Sequence, residues 1–163
     1  MNYSYHKFKK EHYNEIYKIF LKFQEETKIE TFSNLTDGKN PVFVDIYLRD
    51  EFKKIIQKSQ TYVGFCDERI FGFACFSESQ IRSDGLDLLI ACKYPKKRFN
   101  LKIKNLLLEI FKEVKRENNK DVILCALGPR LKFDSYKRFV MKIFKPTILR
   151  KNQLKKTIIK FND

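Results

Sequence analysis

Residues 87–108 read Asp-Leu-Leu-Ile-Ala-Cys-Lys-Tyr-Pro-Lys-Lys-Arg-Phe-Asn-Leu-Lys-Ile-Lys-Asn-Leu-Leu-Leu. The uninterrupted apolar run Leu88 to Cys92 suits a central strand. Pro95 stops it, because proline has no amide proton for a ladder. A basic turn follows, Lys96-Lys97-Arg98. Ile103, Leu106, Leu107, Ile110, Phe111 and Val114 then recur at helical spacing. The pattern is strand, cationic loop, helix start. Amide donors at a helix N-terminus can hold a phosphate, and nearby lysine and arginine add long-range attraction. The chain's middle therefore reads as an anion site on an α/β scaffold. The alternative is an ordinary solvated turn in a lysine-rich protein.

Working outward, a helix ending near Asn118-Asn119 leads to a second apolar strand, Val122 to Leu127, closed by Gly128-Pro129. Strand, helix, strand over 86–127 makes a right-handed βαβ unit the expectation, with its two strands parallel. Upstream, Thr61 to Phe65 and Ile70 to Phe76 read as two strands joined by a tight turn at Cys66-Asp67-Glu68-Arg69. Gly64 and Gly72 permit a bulge or the close approach of another group. Ser83-Asp84-Gly85 turns the chain into the strand at Leu86.

The N-terminal part begins with a short alternating strand, Tyr3 to Phe8. An amphipathic helix follows over 11–27, with Tyr13, Ile16, Tyr17, Phe20 and Phe23 on one face. Turn signals occur at Ser33-Asn34 and Asp37-Gly38. A second helix runs from Pro41, a residue suited to the first helical position, to Lys58. Near the C-terminus, Tyr136, Phe139, Val140 and Ile143 form the inner face of a short helix that Asp134 or Ser135 caps and Pro146 ends. The tail, Thr147 to Phe161, is expected to add one final strand.

Composition narrows the classes. The chain's 163 residues make one domain's worth of length, and a single domain over 1–163 is expected because no linker composition divides it. Thirty-four Lys and Arg against 20 Asp and Glu leave a formal charge of +14, which favours polyanionic partners. The lysines are spread along the chain, as a general lysine, isoleucine and asparagine bias also produces. Cys66, Cys75, Cys92 and Cys125 make no close Cys-x-x-Cys pair, so no metal site is expected. His6 and His12 suggest neither a metal site nor a triad. The start is polar and aromatic, and no apolar run approaches a membrane span. A cytoplasmic protein with reduced thiols is the expectation, with no membrane partner.

The element order strand, helix, helix, three strands, helix, strand, helix, strand resembles the Gcn5-related N-acetyltransferase (GNAT) superfamily across nearly the whole chain. The resemblance implies an α/β (α+β) fold of the acyl-CoA N-acyltransferase type. It would have a mixed central sheet of about six to seven strands and about four flanking helices. In that family a loop with the pattern Arg or Gln, two residues, Gly, one residue, Gly or Ala cradles the pyrophosphate of acetyl-CoA. Here Arg98 fits the first position, but the glycines fall on Leu101 and Ile103. Lys97, Arg98, Asn100 and Lys102 are the candidates to contact phosphate with side chains instead.

The resemblance implies the rest of the site. Acetyl-CoA as co-substrate would lie along Leu89, Ile90, Ala91 and Cys92, with its pyrophosphate over Lys97, Arg98, Phe99, Asn100, Leu101, Lys102 and Ile103. A family segment Phe-Tyr-x-Lys corresponds to Phe139-Val140-Met141-Lys142, so the family's tyrosine acid falls on valine. Tyr136, one helical turn earlier, is the candidate acid. Glu78 and Asp87 are the candidate bases; a solvated strand-end carboxylate is the bland reading of each. The implied function is acetyl transfer from acetyl-CoA directly to an amine acceptor. The alternative is a non-catalytic protein of the same fold whose basic surface binds nucleic acid or an acidic protein. In this family the tail strand often takes part in a homodimer. Lys155, Lys156 and Lys160 charge that edge against casual pairing.

Overall fold

The structure is a computed structural model that describes residues 1–27, 41–93, 100–127, 140–151 and 157–162. Its seven strands are β1 (Tyr3–Lys7), β2 (Gln60–Cys66), β3 (Arg69–Glu78), β4 (Gly85–Lys93), β5 (Val122–Leu127), β6 (Thr147–Lys151) and β7 (Thr157–Lys160). They form one mixed sheet in the order β1-β2-β3-β4-β5-β7-β6. Its longer helices are α1 (Tyr13–Thr27), α2 (Pro41–Lys58) and α3 (Leu101–Asn118), and residues 140–144 are also helical. This is the α/β architecture expected from the element order. The chain groups into two compact units, Met1–Cys75 with Ala91–Arg98, and Phe76–Ile90 with Phe99–Asp163. It crosses from one unit to the other inside β3 and inside β4.

In the first unit β1 pairs antiparallel with β2, Tyr5 opposite Gly64 and Lys7 opposite Tyr62. The β2–β3 turn places Asp67 at φ 47° and Glu68 at φ 68°. Positive φ at both central residues gives the twist that a two-residue hairpin needs. Asp67 also accepts the Asn2 amide on Oδ1 at 2.7 Å, which ties β1 to the turn. The apolar stripe of α1 buries Ile16, Ile19 and Phe20 completely or nearly so. Phe20 meets Phe52 of α2 at 5.0 Å between ring centroids, and Phe52 meets Phe73 of β3 edge-on at 5.9 Å. Residues 71–76 of β3 are all buried, as a strand apolar on both faces requires.

Gly64 shows why a glycine interrupts β2. A Cβ built there would lie 2.9 Å from Cε1 of Phe71, so the ring occupies the space of a side chain. His12 is buried in the turn Lys10–His12, where its Nδ1 accepts the Lys9 amide at 3.1 Å. Its ring packs edge-on against Phe65, so its role is structural.

In the second unit β4 and β5 are parallel, with Gly85 opposite Val122 and Asp87 opposite Leu124. The helix α3 is the crossover between them, as the βαβ reading required. Its inner face buries Ile103, Ile110, Phe111 and Val114. Phe111 contacts Phe76 at right angles at 5.9 Å and Phe161 at 4.9 Å. Asn119 ends α3 in the left-handed region at φ 51°, and the Lys120 amide reaches back to the Lys115 carbonyl at 2.9 Å.

The tail corrects the sequence reading. It holds two strands, β6 and β7, where one was expected. β7 pairs antiparallel with both β5 and β6, so the later strand lies inside and the earlier one at the edge. The reason is burial: Ile158 and Ile159 of β7 are 4% and 0% exposed, whereas Ile148 and Leu149 of β6 are 45% and 39% exposed. An edge strand with that exposure and a cationic end lacks the alternation by which a strand is read.

Candidate functional site

The site is built around the start of α3. Asn100 is its N-cap, in extended backbone, with Oδ1 accepting the Ile103 amide at 3.0 Å. The Asn100 carbonyl takes the Lys104 amide at 3.1 Å, which begins the intrahelical ladder. The amides of Leu101 and Lys102 precede that ladder. Helix N-termini carry partial positive charge and ordinarily attract acidic residues. The first turn of α3 has no acidic residue. Lys102 and Lys104 lie in or beside it instead, and Lys104 Nζ sits 6.0 Å from the centroid of Phe144. Each such lysine opposes the helix dipole by about 0.3–1 kcal/mol. The same arrangement concentrates positive potential where an anion would offset it.

The two motif positions without glycine have different fates. Ile103 turns its side chain into the core at 6% exposure, and its amide is held by Asn100. Leu101 is 69% exposed, a large apolar side chain at the mouth of the helix. Only the substitution at Leu101 therefore stands on the solvent side of the loop motif. Lys102 is exposed, whereas Asn100 is already committed through Oδ1 to capping. Lys97, Arg98 and Phe99 lie outside the described residues.

β4 carries the next part. Its register with β5 runs from Gly85 to Asp87, and the strand continues through Lys93. Leu89 is 43% exposed, Ala91 is half-buried, and Ile90 and Cys92 belong to the strand. Leu86 and Leu88 are buried, so strand alternation puts Asp87 and Leu89 on the opposite face. Asp87 is half-buried and within Coulomb reach of Cys125; burial first, then the Asp87 charge, pushes that thiol up to about 12. Cys75 and Cys125 are free thiols. Burial pushes Cys75 up to about 11 against the hydrogen bond it accepts from Thr61.

Glu78 stands in a different setting. Its carboxylate is 81% exposed and 3.7 Å from Lys120 Nζ. Lys120 also donates to the Ser83 carbonyl at 2.8 Å, and it clasps the β3–β4 turn to the end of α3. Asp84 receives two bonds from Arg82, at 2.8 and 2.6 Å, and those bonds hold its carboxyl below the usual range. The Asp84 carbonyl accepts the Asp121 and Val122 amides. Glu78 and Asp84 are engaged with cations, and Asp87 is placed on β4 itself. Tyr136 lies outside the described residues, as do the capping candidates Asp134 and Ser135.

Nothing local in the sequence pointed to Lys120, because its partners lie on the far side of α3 in the chain. Among the described residues no group of three His, Cys, Asp or Glu could hold a metal ion. No described helix is long and apolar enough to cross a membrane.

No family model and no curated sequence matches the chain. Solved structures match it throughout. PaiA N-acetyltransferase of Thermoplasma acidophilum, determined with coenzyme A, superposes with a TM-score of 0.68 over 100% of both chains at 11% identity. A GNAT-family acetyltransferase of Staphylococcus aureus gives 0.64 over 99% of both chains at 17% identity. The N-acetyltransferase PseH of Campylobacter jejuni, determined with acetyl coenzyme A, gives 0.60 over 99% of both chains at 11% identity. With its seven-stranded order, its parallel β4–α3–β5 crossover and this full-length superposition, the chain has the fold of the GNAT acetyltransferases.

Proposed function

We propose that the chain is an N-acetyltransferase that moves an acetyl group from acetyl-CoA directly to an amine. The observation that carries this reading is the acid-free, lysine-bearing first turn of α3, set after β4 on a GNAT fold. Two neighbours determined with coenzyme A or acetyl coenzyme A support the same donor. In this reading the amides of Leu101 and Lys102 and the side chains of Lys97, Arg98 and Lys102 face the pyrophosphate. Phe99, Asn100 and Ile103 complete that loop. The backbone of Leu89, Ile90, Ala91 and Cys92 pairs with the amides of the donor's arm.

Acetyl-CoA supplies the thioester carbonyl. Asp87 takes the proton from the acceptor's ammonium, directly or through one water. The freed amine attacks the carbonyl carbon, the carbon–sulfur bond breaks, Tyr136 gives its proton to the departing thiolate, and the surplus proton on the new amide nitrogen passes through water to restore Tyr136. Glu78 is the second candidate base, an exposed carboxylate 3.7 Å from Lys120 Nζ. A +14 chain favours a small amine, or an amine carried on an acidic molecule, over a polycation.

One observation favours a second reading, a non-catalytic protein of this fold that binds nucleic acid or an acidic protein. Leu101 stands exposed where the family has glycine. Calorimetric titration with acetyl-CoA at physiological salt, with ATP as control, separates the two. Micromolar binding of acetyl-CoA alone, followed by thiol release with an amine panel, is the expected result. Equal and salt-sensitive binding of both ligands would sink the enzyme reading in favour of a plain anion patch. Given turnover, Asp87→Asn and Tyr136→Phe should each lower kcat by ~100-fold or more, the usual contribution of a general acid or base. Glu78→Gln should stay within a few-fold of the parent.

A further inference from the structure

We propose that the acceptor is a monoamine with a neutral, apolar body, met by Asp87 at its ammonium and by Leu89 along its chain. This inference rests on the acetyl-transfer reading and names the substrate class which that reading leaves open. β4 is an interior strand, set between β3 and β5 in the sheet. Its register with β5 runs from Gly85 to Asp87. Both strands go on past that point, β4 to Lys93 and β5 to Leu127, and there β5 pairs with β7. Asp87 therefore closes the described β4–β5 register, and Leu89 lies beyond it. Exposure follows this geometry: Leu86 and Leu88 are 2% and 6% exposed, whereas Leu89 is 43% exposed. Strand alternation sets Asp87 and Leu89 together on the face opposite Leu86 and Leu88.

The two side chains select for different parts of one ligand. Among the described residues the ion pairs of this region take Glu78 and Asp84 and leave out Asp87. The half-buried Asp87 carboxylate suits an ammonium, and partial burial strengthens their attraction relative to water. Two residues along a strand span roughly 6.5–7 Å, the reach of a chain of about six atoms. Leu89 thus meets the ligand about that far from its nitrogen. A leucine side chain offers contact area but no hydrogen-bond partner. A hydroxyl, carboxylate or second ammonium set against it would lose water without replacement. A chain of charge +14 also disfavours a second ammonium. The donor's arm uses the backbone of Leu89, which leaves the side chain to the acceptor.

The test compares three acceptors of similar length, n-hexylamine, 5-amino-1-pentanol and 6-aminohexanoate, by thiol release from acetyl-CoA. Hexylamine is expected to lead both others in kcat/KM by at least ten-fold, as a hydrophobic contact allows. Leu89→Ser, at an exposed position, should cut the hexylamine-to-aminopentanol ratio at least five-fold, and Leu89→Met should keep it. Equal kcat/KM for hexylamine and aminopentanol, or a preference for aminohexanoate, would overturn the apolar acceptor and leave acetyl transfer standing. A ratio that Leu89→Ser leaves intact would remove Leu89 from the acceptor site. Absence of thiol release with every amine would overturn acetyl transfer itself, and this inference with it.

Discussion

The Asn100 side-chain oxygen accepts the Ile103 amide at 3.0 Å, so the residue expected to grip a phosphate is the cap of the helix that would hold it. Removing a cap of this kind costs about 1 kcal/mol. Asn100→Ala should therefore lower stability by about that amount in urea unfolding. Asn100→Asp keeps the acceptor and adds a negative charge at the positive end of α3, which stabilises a helix by about 0.3–1 kcal/mol. The same charge repels pyrophosphate. The expected outcome is a higher unfolding midpoint with at least five-fold weaker acetyl-CoA binding by calorimetry. If affinity is unchanged, the phosphate does not sit at this terminus.

Gly64 leaves no room for a methyl group, because Phe71 already fills the position at 2.9 Å. Phe71 is 5% exposed and packed edge-on against Tyr3 at 5.4 Å, so its ring cannot swing out without cost. Overpacking of this kind costs about 1–3 kcal/mol. Gly64→Ala should destabilise by that amount in chemical denaturation. Gly64→Ala with Phe71→Leu should lose less than the sum of the two single changes.

Lys145 holds φ 45°, the left-handed region, immediately before Pro146 and after the helical residues 140–144. Its amide donates to the Met141 carbonyl at 3.1 Å in the manner of a helix C-cap. A lysine Cβ in this region costs about 1 kcal/mol that glycine avoids. Lys145→Gly should raise stability by several tenths of a kcal/mol to about 1 kcal/mol, after the greater chain freedom of glycine in the unfolded state is subtracted. A differential scan that shows a lower midpoint would contradict the cap assignment.

Cys75 makes stability depend on alkaline pH. Its thiol is fully buried and pushed up to about 11. In the unfolded chain a thiol ionises near ~8.5. Above that pH the unfolded state binds fewer protons than the folded one, so stability falls as pH rises. The contribution of the neutral thiol is complete below the unfolded value and is drained as pH climbs toward the folded value. Urea midpoints measured from pH 8 to 11 should decline, and Cys75→Ala should flatten the decline relative to the parent. A disulfide reagent at pH 8 should leave Cys75 unmodified until denaturant is added.

Much of the fold was legible because its strands and helices announce themselves by local pattern. The run Leu88 to Cys92 has no polar residue and became β4. The helical spacing from Ile103 to Val114 became the buried face of α3. The dipeptide Asp67-Glu68 marked a hairpin whose two residues do take positive φ. The β6 strand was not legible, because an exposed edge strand has no face for alternation to reveal.

The candidate site was legible only as a set of residue types. Ile103 looked like a lost glycine, yet its side chain belongs to the core; Leu101 alone projects. Glu78 looked like a carboxylate in reserve, yet Lys120 lies beside it from the far end of α3. Such pairings join residues distant in the chain, and no local window contains both partners.

The amino-acid sequence by itself determined the element types from β1 to β5, the parallel crossover of β4, α3 and β5, and the surplus of positive charge. Those properties follow from periodicity, from chirality and from counting. Tertiary structure alone decided the insertion of β7 between β5 and β6, the capping of α3 by Asn100, and the engagement of Glu78 by Lys120. It also placed Phe161 against Phe111. Backbone conformation is set largely by near neighbours, whereas the partner of a side chain depends on which distant segments the packed core brings within a few ångströms.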